Sequence, residues 1–274
     1  MPILKLTRWK EKAGPATFSL LLIALVLAGV ISPVGHATAA SASGLIWSAD
    51  FASGSNIPYF NPPTDALPQY DTCNGVIAVV AADTLGGRYV GYYSSPGGTA
   101  DSCREYPLKS FNPYLGVNDF YVELLVFIPS VTVNDWISFI TVAFANGGVI
   151  TVNMWTPTSY RAGQALYVYS EKLFQTGGLY QPNDGTATLV PFDRWVKIGL
   201  EVHLKSPKQD TAVVVYQDDV PVIKWSPRTV STPLPVVSSL HFGLYTGAQQ
   251  GAFSIYNSDI MFYKGNALVP IRRS

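Results

Sequence analysis

The chain has 274 residues, of which 48% are apolar and 13% are charged, and this composition excludes an intrinsically disordered or fibrous protein. Basic and acidic residues number 18 each, but four basic residues and only one acidic residue precede position 40, which leaves 14 against 17. A net charge of about −3 in this remainder argues against binding to nucleic acid or to an anionic membrane, because both depend on clustered Lys and Arg.

The N-terminus resembles a targeting segment. Four basic side chains come first: Lys5, Arg8, Lys10 and Lys12. The apolar stretch 18–31 follows, shorter than the roughly 20 residues of a membrane-spanning helix, and Ala37-Thr38-Ala39 offers the small residues that a signal peptidase accepts. We therefore predict a cleaved signal peptide at 1–39 and one domain at 40–274, secreted or at the extracellular cell surface. An uncleaved N-terminal anchor helix, which would make the membrane a partner, is the alternative.

Two cysteines, Cys73 and Cys103, both lie in the exported part. An even count in an oxidising compartment favours one disulfide between them. That bond would close a loop of about 30 residues and stabilise the fold by about 3 kcal/mol. Two buried free thiols are the alternative. The sequence has no C-x-x-C motif or Cys/His cluster, so we expect no zinc site.

Alternation of apolar and polar residues with a period of two recurs after residue 44, which is typical of half-buried strands. The two clearest strands are 120–128, which ends at Pro129, and 196–204. Eleven further strands are predicted at 45–51, 76–80, 88–94, 102–108, 136–145, 148–155, 164–170, 211–217, 220–226, 237–246 and 252–263. The proline-containing segment 56–68 is predicted to be an irregular surface loop.

The predicted strands follow one another without intervening helices. Asn146-Gly147-Gly148 and Gln217-Asp218-Asp219 have the composition of tight hairpin turns. Thirteen strands joined in this way form antiparallel sheets, and at this length the stable arrangement is two sheets packed face to face. We therefore predict an all-β fold, a two-sheet antiparallel jelly-roll sandwich.

Four segments point to a known superfamily: Trp47-Ser48-Ala49-Asp50-Phe51, Phe192-Asp193-Arg194-Trp195-Val196, the hairpin 215–221, and Ile255-Tyr256-Asn257-Ser258-Asp259-Ile260. Together they resemble the concanavalin A-like jelly rolls of the lectin and glucanase superfamily. Within it, the chain is most similar to polysaccharide lyases of the alginate and heparin type. The resemblance extends over most of residues 45–264.

The resemblance also implies where a site would lie. In those lyases one strand carries an Arg with a nearby Glu, a central strand carries Gln-x-His, and a late strand carries a basic residue, Gly and Tyr along the groove. Arg104-Glu105 resembles the first motif, and the segment 240–245 resembles the last, with His241 in place of the usual Lys. The central motif is missing, because residues 136–155 contain no Gln and no His.

A lyase site on these residues would have a defined chemistry. β-Elimination at a uronate needs a neutralised carboxylate, a base for the C5 proton and an acid for the leaving oxygen. Arg104 would pair with the carboxylate, His241 would be the base, and Tyr245 would donate the proton. In a strand, His241, Gly243 and Tyr245 share one face, and Gly243 would leave a gap for a sugar ring. The alternatives are a bulge at Gly243 and an ion pair of Arg104 with Glu105 or another carboxylate.

Saccharide-binding residues are predicted on a second strand. Thr151, Asn153 and Trp155 share one strand face, and a Trp beside an amide suits stacking on a sugar combined with hydrogen bonds to hydroxyls. We therefore expect the substrate-binding residues to be Arg104, Asn153, Trp155 and Tyr245. The alternative is that Trp155 fills the edge of the core.

Two other clusters have structural alternatives. Trp195, Lys197, Glu201 and His203 share a face, but an outer, solvated sheet surface explains them more simply than a second groove. Asp50 and Asp259 would become neighbours if the terminal strands pair, and could then hold a structural Ca²⁺. The alternative is a pair of exposed edge aspartates. No cofactor is required, and we predict no catalytic metal.

Two functions follow from these observations. Because the central Gln-x-His motif is missing, we expect a secreted protein that binds a polysaccharide or cell-surface glycan in a concave sheet groove without catalysis. The alternative is an enzyme, a polysaccharide lyase that acts on a uronate polymer through Arg104, His241 and Tyr245. A glycosidase is disfavoured, because neither Glu123 nor Glu201 has an acidic partner two or four residues away.

Overall fold

The computed structural model describes residues 44–51, 60–61, 69–98, 102–130, 136–155, 165–180, 188–230, 232–247 and 251–265. The targeting segment predicted at 1–39 and most of the predicted loop at 56–68 lie outside these residues. The signal peptide and the domain boundary at residue 40 therefore stay predictions. In the described part of the chain, no helix is long and apolar enough to span a bilayer.

Strands make up almost all of the regular structure. The described residues form sixteen strands: β1 Leu45–Ala49, β2 Phe60–Asn61, β3 Gln69–Asp71, β4 Val76–Ala82, β5 Arg88–Ser95, β6 Cys103–Leu115, β7 Asp119–Phe127, β8 Trp136–Phe144, β9 Val149–Trp155, β10 Leu166–Glu171, β11 Gly178–Tyr180, β12 Trp195–His203, β13 Ala212–Gln217, β14 Val220–Trp225, β15 Val237–Thr246 and β16 Phe253–Lys264. One short 3₁₀ helix, Asp83–Leu85, follows β4. All thirteen predicted strands are present, and β2, β3 and β11 are additional.

Nine strands form one antiparallel sheet. Its main path is β14-β13-β12-β7-β16-β1-β2. Strand β16 has two partners on the side away from β7: its first half pairs with β5, which pairs with β4, and its second half pairs with β1. The first and last of the described strands are therefore neighbours.

The other seven strands form the second antiparallel sheet, in the order β11-β10-β9-β8-β15-β6-β3. Aromatic rings from the two sheets meet between them. The ring centroids of Trp47 on β1 and Phe242 on β15 are 5.7 Å apart, and those of Phe111 on β6 and Phe262 on β16 are 5.4 Å apart. The predicted two-sheet sandwich is therefore confirmed, and its core lies between the sheets.

The predicted disulfide between Cys73 and Cys103 is also confirmed, with the two Cα atoms 5.5 Å apart. Beside it, the amide of Thr72 donates to the carbonyl of Arg104 at 3.1 Å. The amide of Arg104 donates in turn to the Thr72 hydroxyl at 3.0 Å. The disulfide and these two bonds attach the chain before β4 to the start of β6, so the backbone of Arg104 is held in a fixed position.

Local turn chemistry agrees with the sequence. In the β8–β9 hairpin, the Asn146 side-chain oxygen accepts a hydrogen bond of 2.9 Å from the amide of Gly148, and Gly147 has φ +78°. Residues 218 and 219 join β13 to β14 in the same tight manner, both with positive φ. These hairpins keep consecutive strands side by side, which is how the chain builds two antiparallel sheets without crossover helices.

Candidate functional site

A groove of about 590 Å³ lies on the face of the seven-stranded sheet that is turned away from the core. Six aromatic side chains of the described residues line it: Tyr106, Trp136, Trp155, Tyr167, Tyr169 and Tyr245. Hydroxyl and amide groups lie between them, on Ser138, Thr141, Thr151 and Asn153. Among the described lining residues, Arg104 and Glu171 carry charge, and His241 is the remaining titratable base.

The structure brings all five predicted site residues together in this groove. Arg104 comes from β6, Asn153 and Trp155 come from β9, and His241 and Tyr245 come from β15. These strands are separated only by β8, in the order β9-β8-β15-β6. The shared location follows from the sheet topology, while the binding and catalytic roles of the five residues stay predictions.

Arg104 lies at one end of the groove, paired in register with Tyr245 on the neighbouring strand. Its guanidinium carbon is 5.2 Å from the centroid of the Tyr245 ring, a distance at which cation and ring attract each other. Trp136 meets the same ring edge to face at 4.8 Å. The exposed cation is therefore held at the mouth of the groove by a fixed aromatic surface.

His241 is enclosed by its neighbours. Its ring stacks on Tyr106 with a centroid distance of 5.0 Å, and its Nε2 shares a hydrogen bond of 3.1 Å with the hydroxyl of Ser239. Burial, and after it the positive charge of Arg104, lowers the pKa of His241 to about 4. The imidazole is therefore neutral near pH 7 and is a weak base there.

The gap expected beside Gly243 has a volume of only about 10 Å³, which is too small for a sugar ring. Gly243 adopts φ +105° in a β-bulge, and the backbone and Cβ of Tyr106 lie 3.1 Å from the position where a Cβ on Gly243 would stand. The Tyr106 ring lies 5.0 Å from His241 and 6.0 Å from Tyr245, and so occupies the space between them. Gly243 therefore permits a bulge and a close strand contact, and it does not seat a sugar ring.

Asn153 and Trp155 form part of the groove floor. The Asn153 amide donates to the Thr151 hydroxyl at 2.8 Å, and the Trp155 ring stacks on Tyr167 at 4.7 Å. Both predicted residues are largely buried, with 3% and 7% of their surface exposed. They form part of the groove face of the sheet, and Trp155 is also among the buried hydrophobic side chains.

The carboxylate of Glu171 lies on β10, away from Arg104. The Tyr169 hydroxyl donates to Glu171 at 3.5 Å, and burial together with the negative charge of Glu171 raises the pKa of Tyr169. Lys172 also pairs with Glu171, with 3.5 Å between the charged atoms. The groove therefore has its cation and its carboxylate on strands at opposite ends.

Sequence reasoning missed nine of the described lining residues. Tyr167, Tyr169 and Glu171 alternate on β10, and this period of two was a usable pattern. Trp136 alternates with Ser138 in the same way on β8. Tyr106 had no such pattern, because Glu105, Tyr106 and Pro107 are all buried in succession.

The outer face of the nine-stranded sheet has the ion pairs of a solvated surface. Lys197 pairs with Glu123 at 3.3 Å and with Asp219 at 2.5 Å. His203 lies between Asp119 at 2.9 Å and Glu201 at 2.7 Å. These contacts use the polar side chains that a second groove would need. A solvated outer sheet surface is therefore favoured over a second groove.

Metal binding has two candidate places. Asp50 and Asp259 lie beside paired residues of β1 and β16, but the Asp259 carboxylate accepts a hydrogen bond of 2.7 Å from Arg88. A structural Ca²⁺ there stays a prediction. Within the described ranges, Cys73, Cys103 and Glu105 bring ligand-type atoms within 4.8 Å of one another. The two sulfurs are joined in the disulfide, so they are not thiolate ligands.

Comparison with known proteins shows similarity of fold. Endo-β-1,4-glucuronan lyase from the fungus Trichoderma reesei has a TM-score of 0.55 and 11% identity, over 80% of this chain and 95% of that chain. The cellulose induced protein Cip1 has a TM-score of 0.54 and 13% identity, over 78% of this chain and 95% of that chain. The marine PL-14 alginate lyase from Aplysia kurodai has a TM-score of 0.51 and 11% identity, over 80% of this chain and 99% of that chain. No protein-family model and no curated protein sequence matches the chain.

These comparisons confirm the resemblance at the level of architecture. The domain has the jelly-roll fold found in polysaccharide lyases, with two antiparallel sheets and nearly the full length of each related chain covered. Fold alone does not determine chemistry, because related jelly rolls support different activities. The function is therefore inferred from the residues that line the groove.

Proposed function

We propose that the protein binds a polysaccharide in the groove of the seven-stranded sheet and does not cleave it. The observation that carries this proposal is the lining itself: six aromatic rings with hydroxyl and amide groups between them. Aromatic faces pack against the apolar faces of sugar rings, while the hydroxyls and amides bond the sugar hydroxyls. A groove of about 590 Å³ accommodates several sugar units.

The ligand that fits best carries uronic acid. Arg104 is the cation of the described groove and can hold one carboxylate in a charge-assisted pair. Glu171 lies at the opposite end and repels a second carboxylate placed there. Two proteins with the same fold, the glucuronan lyase and the marine alginate lyase, are named for acidic polysaccharides, which supports this class of ligand.

The state of His241 favours binding over catalysis. A general base works best when its pKa lies near the working pH, whereas the pKa of His241 is lowered to about 4. Its Nε2 is hydrogen-bonded to Ser239 and one ring face is covered by Tyr106. The imidazole is therefore packed and hydrogen-bonded as part of the groove wall.

A lyase is the second candidate, and one observation favours it. Arg104, His241 and Tyr245 meet at one end of the groove, where they would supply the carboxylate partner, base and acid of β-elimination.

The disulfide supports a further part of the proposal, namely that the protein works outside the cytoplasm in an oxidising compartment.

Two assays on the purified protein separate these functions. Affinity electrophoresis through gels that contain alginate, glucuronan or heparin measures binding, and new ultraviolet absorbance from unsaturated sugars measures lyase activity. We expect retention by a uronate polymer without new absorbance. Sustained absorbance that is lost in His241→Ala would establish the lyase, and absence of both retention and absorbance would overturn both candidates.

A further inference from the structure

A second concavity lies on the same sheet beyond the groove. It has a volume of about 600 Å³ and is formed by the end of β6 and the start of β15. Its lining residues are Ser110, Phe111, Asn112, Pro113, Tyr114, Ser238 and Ser239. None of the binding or catalytic roles considered above involves this place.

The second concavity lies next to the groove. Ser110 and Ser239 are partners in the β6–β15 register, so they lie side by side. The Ser239 hydroxyl is hydrogen-bonded to His241, which lines the groove. One hydrogen bond therefore joins a wall residue of the groove to a wall residue of the second concavity.

Alternation along β6 gives the same result. Arg104 and Tyr106 line the groove, and Ser110, Asn112 and Tyr114 follow them at even positions of the same strand. Phe111, at an odd position, is buried in the core with 5% of its surface exposed. Even-numbered side chains of β6 therefore share the groove face as far as Ser110, and the β6–β15 pairing is irregular from there to Leu115.

The lining of the second concavity suits a sugar ring. Tyr114 is 58% exposed, so its ring is accessible to a ligand. Serine hydroxyls and the Asn112 amide surround it, and no charged side chain is among the described lining residues. Such a place recognises an apolar ring face and hydroxyl groups, and it leaves a sugar carboxylate free to face the solvent.

We propose that this second concavity is an additional sugar subsite with Tyr114 as its stacking surface. This inference rests on the proposed function of the groove. The groove crosses the sheet from β11, where Leu179 lines it, to β6, which is five strand spacings or about 24 Å, the length of roughly five pyranose units. A longer oligosaccharide reaches the second concavity, so the protein recognises an extended segment of a polymer and not a single terminal sugar.

The test is calorimetric titration of the protein with a glucuronan tetrasaccharide and a glucuronan octasaccharide. We expect the wild type to bind the octasaccharide roughly five- to tenfold more tightly, the gain of one aromatic contact. Tyr114→Ala should remove most of that gain and leave the tetrasaccharide affinity unchanged. Tyr89→Ala is the matched control, because Tyr89 is an exposed tyrosine on β5 of the other sheet.

The outcomes distinguish this inference from the function on which it rests. Equal affinity of the wild type for both oligosaccharides would overturn the additional subsite and leave groove binding intact. If Tyr114→Ala lost equal affinity for both oligosaccharides, or lost affinity for neither, the additional subsite would also be overturned and groove binding would remain. Failure of both oligosaccharides to bind the wild type would overturn the proposed function together with the inference.

Discussion

The guanidinium of Arg104 lies over the ring of Tyr245, with 5.2 Å between the guanidinium carbon and the ring centroid. The two residues are paired across β6 and β15, so the sheet itself sets their distance. A cation that is already held against an aromatic surface loses little conformational freedom when it binds an anion. This pair is therefore suited to hold a sugar carboxylate at the end of the groove.

Replacement of Arg104 should weaken the binding of acidic saccharides. In Arg104→Ala, loss of the charge-assisted pair should cost about 1.5 kcal/mol or more, which is at least tenfold in Kd. Calorimetric titration with a glucuronan tetrasaccharide measures the change. Arg194→Ala is the control, because Arg194 pairs with Asp218 beside the other sheet. Equal affinities of Arg104→Ala and the control would contradict the role of Arg104.

Neutralisation of Glu171 should have the opposite effect. Its carboxylate is half-exposed, so its repulsion of an acidic sugar is screened, and Glu171→Gln should strengthen binding of the same tetrasaccharide by about two- to threefold at low salt. The difference should disappear in high salt. Weaker binding in Glu171→Gln would show that the carboxylate accepts hydrogen bonds from sugar hydroxyls and does not act as a repulsive charge.

His241 should make the protein less stable in acid. The unfolded chain gains a proton on this residue near pH 6.5, whereas the folded protein does so only near pH 4. Between these values the unfolded state binds more protons, so the free energy of unfolding falls as the pH is lowered. The loss should be about 3 kcal/mol and should be complete below pH 4.

Urea unfolding of the wild type and of His241→Gln across this pH range isolates the contribution, because the glutamine cannot ionise. The stability difference between the two proteins should shift in favour of the variant as the pH falls from 6.5 to 4. A difference that is independent of pH would mean that the pKa of His241 is not lowered in the folded protein.

The disulfide should contribute measurably to stability. It closes a loop with a sequence separation of 30, for which chain entropy predicts about 3 kcal/mol. The double variant Cys73→Ala and Cys103→Ala should lose about that amount in urea unfolding. Mass spectrometry of unreduced, secreted protein after alkylation should find no modified thiol, and two alkylated cysteines would refute the bond.

The strands of the sandwich could be predicted because each buries one face. In β12, Val196, Ile198, Leu200 and Val202 are buried and face the core, which produces the alternation visible in the sequence. The short strands β3 and β11 have three residues each, too few for a period of two to show. They form because neighbouring strands offer unpaired backbone groups, and this depends on the assembled sheet.

The site could be predicted only in part. The resemblance located Arg104, His241 and Tyr245, and alternation located Asn153 and Trp155. The Tyr106 ring between His241 and Tyr245 could not be foreseen, because it depends on a bulge at Gly243 and on the β6–β15 register. A bulge changes which side chains meet across strands and leaves little trace in a single sequence.

The central claim is that the aromatic groove of the seven-stranded sheet binds a uronate-containing polysaccharide. Calorimetric titration of the wild type, Tyr169→Ala and Tyr89→Ala with a glucuronan tetrasaccharide tests it most directly, because one tyrosine lines the groove and the other is exposed on the other sheet. We expect binding by the wild type, an affinity about five- to tenfold weaker in Tyr169→Ala, and an unchanged affinity in Tyr89→Ala. Unchanged affinity in Tyr169→Ala, or no binding by the wild type, would contradict the claim.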